Sequence, residues 1–142
     1  MRTMKSIEKF FTVIFLMSAV SGCAVVMEPF RILWGSSTRA LEQARAQAVS
    51  RTYNCDFDAC YDAVLKIAKE TKYVIFINDR LQERIVVVGI PGNVDTTEVG
   101  IFFSEVKKSQ VKVDISSLSS TAKEKAAQVI FEGLDTKFKE QK

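Results

Sequence analysis

The chain has 142 residues, of which 47% are hydrophobic and 26% are charged, and it contains no histidine. This length suffices for one ordinary domain. Its formal net charge of +3 is too small to mark a nucleic-acid binder, because no basic cluster accompanies it. The lack of histidine excludes Ser-His-Asp and Cys-His nucleophile activation, together with every zinc site that uses histidine.

Residues 1–22 have the pattern of a secretory signal peptide. Arg2, Lys5 and Lys9 give a positive start, and an apolar run follows over residues 10–20. A membrane-spanning helix needs about 20 apolar residues, whereas the apolar part of a signal peptide needs about 7 to 15. The length of the run therefore favours a cleaved signal peptide over a membrane anchor.

The apolar run ends in Val20-Ser21-Gly22-Cys23. Small residues before a cysteine at this place resemble the lipobox of bacterial lipoproteins, and the resemblance covers the first 23 residues. It implies that the peptide is cut before Cys23, that the Cys23 sulfur carries lipid and that its freed amine is acylated. Several acyl chains give stable anchoring. By resemblance to enterobacterial lipoproteins, Ala24 in place of aspartate implies the outer membrane. An ordinary secretory peptide with a chance cysteine is the alternative.

Residues 24–35 are more apolar than the flexible linker expected beside a lipid anchor. Their aromatic side chains either lie in the membrane interface or fold back onto the domain. We expect folding back, because exposure of this patch to solvent would be unfavourable. Hydroxyl residues at 36–38 then offer N-caps for an Ala-rich helix over 39–49. Its apolar stripe is shallow, so a solvated spacer is expected rather than a recognition helix.

Two further helices are predicted from apolar spacing and capping signals. Apolar residues recur on one helix face after Asp56, a plausible N-cap, and this helix is expected to end near Thr71. Thr121 and Glu124 have the spacing of a capping box, which predicts a last helix ending near Phe138. Both helices present an apolar face, so both are expected to lie across one sheet.

Runs of β-branched and aromatic residues predict four strands, and Tyr53 is expected in an additional strand at an edge. The four strands are expected at 73–78, 84–90, 97–104 and 110–116. Their short connections favour an antiparallel meander, because parallel neighbours need crossovers of a dozen or more residues. The predicted class is α+β: a two-layer domain over 51–142, with an antiparallel sheet of four or five strands, two helices on one face and the order β-α-β-β-β-β-α. Residues 23–50 precede it as a lipidated tether and helix.

The sheet face opposite the helices is expected to be apolar. Alternation directs Tyr73, Ile75, Ile77, Val87 and Val99 toward the helices. The side chains left on the opposite face are Val74, Phe76, Val86, Val88 and Phe102. Water on that side would favour polar residues instead. The cover is either residues 25–50, a second copy or a partner protein, or a lipid-like ligand in a groove that resembles those of helix-grip domains.

The remaining candidate chemistry is confined to a few side chains. Cys55 and Cys60 are disulfide candidates in an oxidising periplasm, since around Asp56 they occupy the N′ and N4 positions of a hydrophobic staple. Asp95 and Glu98 lie near a turn and are interpreted as solvated, with a loop-borne binding site as the alternative. No catalytic residue, metal site or cofactor is assigned.

The sequence predicts a lipid-anchored protein of the cell envelope, facing the periplasm from the outer membrane, that binds or scaffolds and is not an enzyme. Its mature part is similar to small bacterial lipoproteins and, more distantly, to accessory lipoproteins of the outer-membrane barrel-assembly machinery. The expected partners are the membrane, through the covalent lipid on Cys23, and an envelope protein or a second copy, with no nucleic acid. The alternative function is a carrier of a lipid or another hydrophobic ligand.

Overall fold

The structure, a computed structural model, describes residues 38–138. Residues 38–43 are α-helical and continue into a 3₁₀ turn, Ala44–Gln47. The elements that follow are β1 (Val49–Tyr53), α1 (Phe57–Glu70), β2 (Val74–Asp79), β3 (Arg84–Val88), β4 (Val99–Lys107), β5 (Gln110–Ser116) and α2 (Ser120–Lys137). The predictions for the signal peptide, for Cys23 and for residues 24–37 fall outside the described range.

The five strands form one antiparallel sheet in the order β1-β5-β4-β3-β2. Strands β2 to β5 make the predicted meander, and β1 lies at the edge beside β5, with Tyr53 opposite Val111. Together with α1 and α2 on one face, this confirms the predicted two-layer α+β class. The helical residues before β1 also pack on the sheet, and the chain from Thr38 onward forms one compact unit.

The main core lies between the sheet and the two long helices. Its helical side consists of buried residues of α1 and α2, among them Cys60, Tyr61, Val64, Ile67, Ala126, Ile130, Phe131 and Leu134. The helices approach closely at Gly133, where an added Cβ would lie 2.6 Å from the Cδ1 atom of Ile67. Since each fully buried large apolar side chain contributes about 1.5 to 3 kcal/mol, this cluster is the main source of stability.

The start of α2 differs from the capping-box prediction. Ser119 is the N-cap, and its hydroxyl accepts a hydrogen bond from the backbone N–H of Ala122 at 3.3 Å. The hydroxyl of Ser117 accepts from the Ser119 N–H at 3.2 Å, which fixes the chain just after β5. The helix therefore begins before Thr121, and the prediction that Thr121 caps it was wrong.

A β-bulge in β2 changes which residues face the helices. Ile75 pairs with Val87, but Ile77 pairs with Val86, so Phe76 is an extra residue on this strand. Side chains beyond a bulge change faces relative to simple alternation. Ile77 therefore packs with Val86 on the face opposite α1 and α2, which we call the second face. The prediction that Ile77 faces the helices was wrong for this reason.

Candidate interaction face

The second face is covered at its centre by residues 38–47, which we call the covering segment. Leu41 of this segment is 2% exposed and packs against Val86 and Phe102 in a cluster separate from the main core. Ile77 contacts the margin of this cluster. The prediction of a solvated spacer helix was wrong, because Leu41 is buried against the sheet.

Gly100 makes the seat for the covering segment. A Cβ atom at this position would lie 2.6 Å from Cε2 of Phe102 and 3.5 Å from Cβ of Leu41. Contacts below about 3 Å force neighbouring groups to move. The missing side chain therefore leaves the space in which the Phe102 ring lies under Leu41.

Arg45 ties the covering segment to β5. Its Nη2 atom lies 2.8 Å from Oδ2 of Asp114 and 3.3 Å from Oγ of Ser104. Its guanidinium carbon lies 4.7 Å from the centroid of the Phe102 ring, within the range of a cation–π contact. One side chain thus pairs with a carboxylate and covers the aromatic residue of the apolar cluster.

Asp114 is buried on the second face, where it lies opposite Phe102 of the neighbouring strand. Its Oδ1 atom accepts a hydrogen bond from the Ser50 hydroxyl at 2.6 Å and lies 3.0 Å from Nζ of Lys112. Burial acts to raise the pKa of Asp114, but the hydrogen bonds from Ser50, Arg45 and Lys112 outweigh it and hold this pKa below its usual value. The carboxylate is therefore an ionised anchor beneath the covering segment.

Further polar contacts hold both ends of the covering segment. The Ser116 hydroxyl donates to the carbonyl oxygen of Leu41 at 2.8 Å, and Lys123 donates to the carbonyl oxygen of Gln47 at 2.7 Å. A second ion pair joins Glu42 to Arg84 at 3.0 Å. Burial of one leucine is thus supplemented by charged and polar contacts to β3, β5 and α2.

The residues predicted to form an apolar face separate into a covered and an open group. Val86 and Phe102 are buried beneath the covering segment, and Val88 is half-buried. On the edge strand β2, Val74 is 59% exposed and Phe76 is 41% exposed. The covering segment therefore closes the centre of the second face and leaves the β2 side accessible.

Cys55 and Cys60 are joined by a disulfide bond at the start of α1, with their Cα atoms 6.0 Å apart. Asp56 between them occupies the N-cap position by its backbone, but its carboxylate accepts from the Ser109 hydroxyl at 2.6 Å and caps no helical N–H. The bond therefore secures a helix start that has no side-chain cap.

The two acidic residues singled out in the sequence, Asp95 and Glu98, lie in the connection between β3 and β4. Asp95 is exposed, and its carbonyl oxygen accepts from the Gly89 N–H at 3.2 Å. Glu98 is half-buried, and its carbonyl oxygen accepts from the Ser117 hydroxyl at 2.6 Å. These backbone contacts hold the connection between β3 and β4 in place.

The anchoring residues Arg45 and Asp114 were missed by sequence reasoning. The available signal was the four-residue spacing of Leu41 and Arg45, which places them on one helix face. An acidic residue in a strand otherwise rich in valine and isoleucine was a second signal. Neither pattern indicates by itself which strand lies beneath the helix.

Within residues 38–138, no group of three or more His, Cys, Asp or Glu side chains is placed to hold a metal ion. In the same range, no helix has both the length and the apolar character required to cross a membrane. Comparison with protein-family models finds no family that matches the chain. Comparison with curated protein sequences likewise finds no match.

Proposed function

We propose that this protein is a lipid-anchored binding or scaffolding component of the bacterial cell envelope, held at the outer membrane through lipid on Cys23. The sequence support is the positive start, the short apolar run and the lipobox-like Val20-Ser21-Gly22-Cys23. The domain that begins at Thr38 would then face the periplasm.

The structural observation that supports this location best is the bond between Cys55 and Cys60. Disulfides persist in oxidising compartments such as the periplasm and are rare in the reducing cytosol. Export of the chain and oxidation of this pair are therefore consistent with each other. The lipobox and the disulfide come from separate parts of the chain and point to the same compartment.

A binding role is favoured over catalysis by what the buried polar groups do. Asp114 pairs with Arg45, Ser116 donates to the covering segment, and the Tyr53 hydroxyl donates to Asp135 at 2.9 Å. Each of these groups is used to join one element of the fold to another. The surface at β2, with Val74 exposed, is the part of the predicted apolar face that a partner protein could reach.

A carrier of a hydrophobic ligand is the second candidate, and the packing favours it less. A helix-grip groove would require space between the helices and the sheet. The close approach of Gly133 to Ile67 brings α1 and α2 together, and buried side chains such as Tyr61 and Phe103 occupy the layer beneath them. The second face is covered at its centre by Leu41.

Lipidation is tested by expressing the full chain in a bacterial host with an alkyne-tagged fatty acid. We expect tagged protein in the membrane fraction and an intact mass that matches a chain beginning at an acylated Cys23. Cys23→Ser should abolish both signals. The paired change of Cys55→Ser and Cys60→Ser is the matched control and should keep them. An unmodified Cys23 in the wild-type protein would contradict the anchor.

Partner binding is tested by placing a photo-crosslinking amino acid at Val74 in the full chain within native envelopes. We expect a discrete crosslinked product at this position. The same amino acid at Leu81, which is 97% exposed in the turn between β2 and β3, is the control and should give none. Identical patterns at Val74 and Leu81 would contradict a specific surface at β2.

A further inference from the structure

Two large apolar side chains are exposed at one end of the domain. Val94, in the connection between β3 and β4, is 72% exposed, and Leu118, in the connection between β5 and α2, is 78% exposed. We call this end of the sheet the loop end. Single exposed valines and leucines are common on protein surfaces. Here two of them lie at the same end of the sheet.

The two connections adjoin and are held by hydrogen bonds. Oγ of Ser119 lies 3.5 Å from Oδ1 of Asn93, and the Ser117 hydroxyl donates to the carbonyl oxygen of Glu98 at 2.6 Å. These residues flank Leu118 on one connection and Val94 on the other. Val94 and Leu118 therefore lie on adjoining connections that hydrogen bonds hold in place.

Charge at the loop end is nearly balanced. Lys72 and Lys125 are exposed there, and Lys125 donates to the carbonyl oxygen of Pro91 at 2.9 Å. Asp95 and Glu124 are exposed in the same region. Attraction to an acidic surface is consequently not the feature that distinguishes this end. Two apolar tips on polar turns suit shallow insertion into a lipid interface, whereas a stable protein interface usually needs a broader packed centre.

The covering segment contacts the sheet close to this end of the domain. Leu41 accepts from Ser116, near the end of β5, whereas Arg45 reaches Asp114 and Ser104, farther along the sheet. Gln47 accepts from Lys123 in the first turn of α2, so Leu41 and Gln47 both lie on the loop-end side of the sheet. Toward the N-terminus the chain continues to Cys23.

Few residues separate the lipid anchor from the described domain. Residues 24–37 lie between Cys23 and the described domain, and a chain of that length spans at most about 50 Å. A tether of this reach raises the effective concentration of the domain at the bilayer, so weak contacts suffice to orient it.

We propose that the loop end rests on the bilayer that holds the lipid of Cys23, with Val94 and Leu118 in the headgroup region. This inference rests on the proposed lipid anchor. It assigns a membrane-facing end to the domain and directs the opposite end, with the turn between β2 and β3, away from the membrane. The occupant of the loop end is the lipid surface rather than a protein.

The test uses the full lipidated chain in pure-lipid vesicles, with an environment-sensitive fluorophore on Leu118→Cys or, separately, on Val94→Cys. We expect blue-shifted emission, quenching by lipid-borne spin labels and loss of quenching by aqueous iodide. Leu81→Cys, at the opposite end, is the matched control and should keep aqueous emission and full iodide quenching. The contrast should be equal in zwitterionic and anionic vesicles, because it depends on apolar insertion.

Failure of the anchor and failure of the docking are distinguished by vesicle flotation. If the chain floats and all three labels remain aqueous, the anchor stands and the docking is overturned. If the chain does not float, the anchor is overturned, and a lipid titration of the unlipidated Cys23→Ser chain then decides the docking by the presence or absence of the Leu118→Cys shift. A label shielded in native envelopes but aqueous in pure-lipid vesicles would assign the loop end to a protein partner and overturn the proposal.

Discussion

The guanidinium of Arg45 lies 2.8 Å from the carboxylate of Asp114 and joins a helical turn before the first strand to the fifth strand of the sheet. The Asp114 side chain is 6% exposed and the Arg45 side chain 35%. The pair is therefore sheltered on one side and hydrated on the other. Removal of Arg45 would therefore leave a carboxylate that water hydrates poorly.

Loss of Arg45 should destabilise the domain more than loss of an exposed lysine. Arg45→Ala leaves the buried carboxylate of Asp114 without its guanidinium partner, and we expect the free energy of unfolding to fall by about 1 to 2 kcal/mol. Lys66→Ala removes a solvent-exposed partner of Glu70 and should cost less than about 0.5 kcal/mol. Urea unfolding followed by circular dichroism measures both, and equal effects would contradict the sheltered pair.

Asp114 should make the domain sensitive to acid. Burial opposes its ionisation, but hydrogen bonds from Ser50, Arg45 and Lys112 hold its pKa below the ordinary 3.8. A carboxylate with a lowered folded pKa stabilises the fold above its unfolded pKa, and this contribution is lost as the pH falls through the folded pKa. We therefore expect the free energy of unfolding to decrease below about pH 4.

Urea titrations across an acidic pH series would measure this dependence. The decrease should be smaller in Asp114→Asn than in the wild-type chain. Asp95→Asn removes a carboxylate from an exposed loop position and is the control. If Asp114→Asn and Asp95→Asn changed the pH profile to the same extent, the buried carboxylate would not be its source.

Reduction of the Cys55–Cys60 bond should lower stability modestly. The chain-entropy relation gives about 2 kcal/mol for so short a loop. Unfolding of oxidised protein with and without a reducing agent measures the difference. The double variant Cys55→Ala and Cys60→Ala should match the reduced wild type and should not respond to the reducing agent. An unchanged midpoint on reduction of the wild-type chain would contradict this expectation.

Loss of Leu41 should uncover the centre of the second face. In Leu41→Ala, Phe102 and Val86 lose their apolar cover, so we expect higher binding of a hydrophobic dye and a loss of stability of about 2 kcal/mol or more. Leu81→Ala changes a leucine that is 97% exposed and is the control. If dye binding did not differ between the two variants, Leu41 would not be the cover.

A methyl group at Gly133 should destabilise the domain despite the better helix propensity of alanine. The added Cβ would lie 2.6 Å from Ile67 Cδ1, and such overpacking costs about 1 to 3 kcal/mol, more than the roughly 1 kcal/mol that alanine gains over glycine in a helix. Ile67→Ala removes the opposing atoms, so the double variant should be more stable than the sum of the single effects predicts. Strict additivity in thermal unfolding would rule out the proposed clash.

The elements of the main core were predictable because their signals are local. Apolar spacing after Asp56 and alternation along residues 110–116 depend only on neighbours in the chain. Short connections then restricted the four central strands to a meander. The pairing of β1 with β5 could not be derived in this way, because Tyr53 and Val111 meet only through the tertiary fold.

The second face was predicted less well, and two physical causes account for this. The bulge at Phe76 shifts the facing of Ile77 without leaving a distinct mark in the composition of the strand. Asp114 is buried with Arg45 as its partner. Arg45 belongs to a segment whose own sequence pattern predicts a solvated helix. Local patterns describe which residues can be buried, but not which distant segment covers them.

The position of β1 imposes an order on folding. In the described sheet β1 pairs only with β5. The hydrogen bond between Ser50 and Asp114 therefore joins residues 64 positions apart in the sequence. Closing so long a loop is entropically costly and slows folding. The bond between Cys55 and Cys60, five residues apart, can form as soon as both reach an oxidising compartment. During directional synthesis the first strand of the sheet is therefore the last to be placed, and its edge stays unpaired until the fifth strand has emerged.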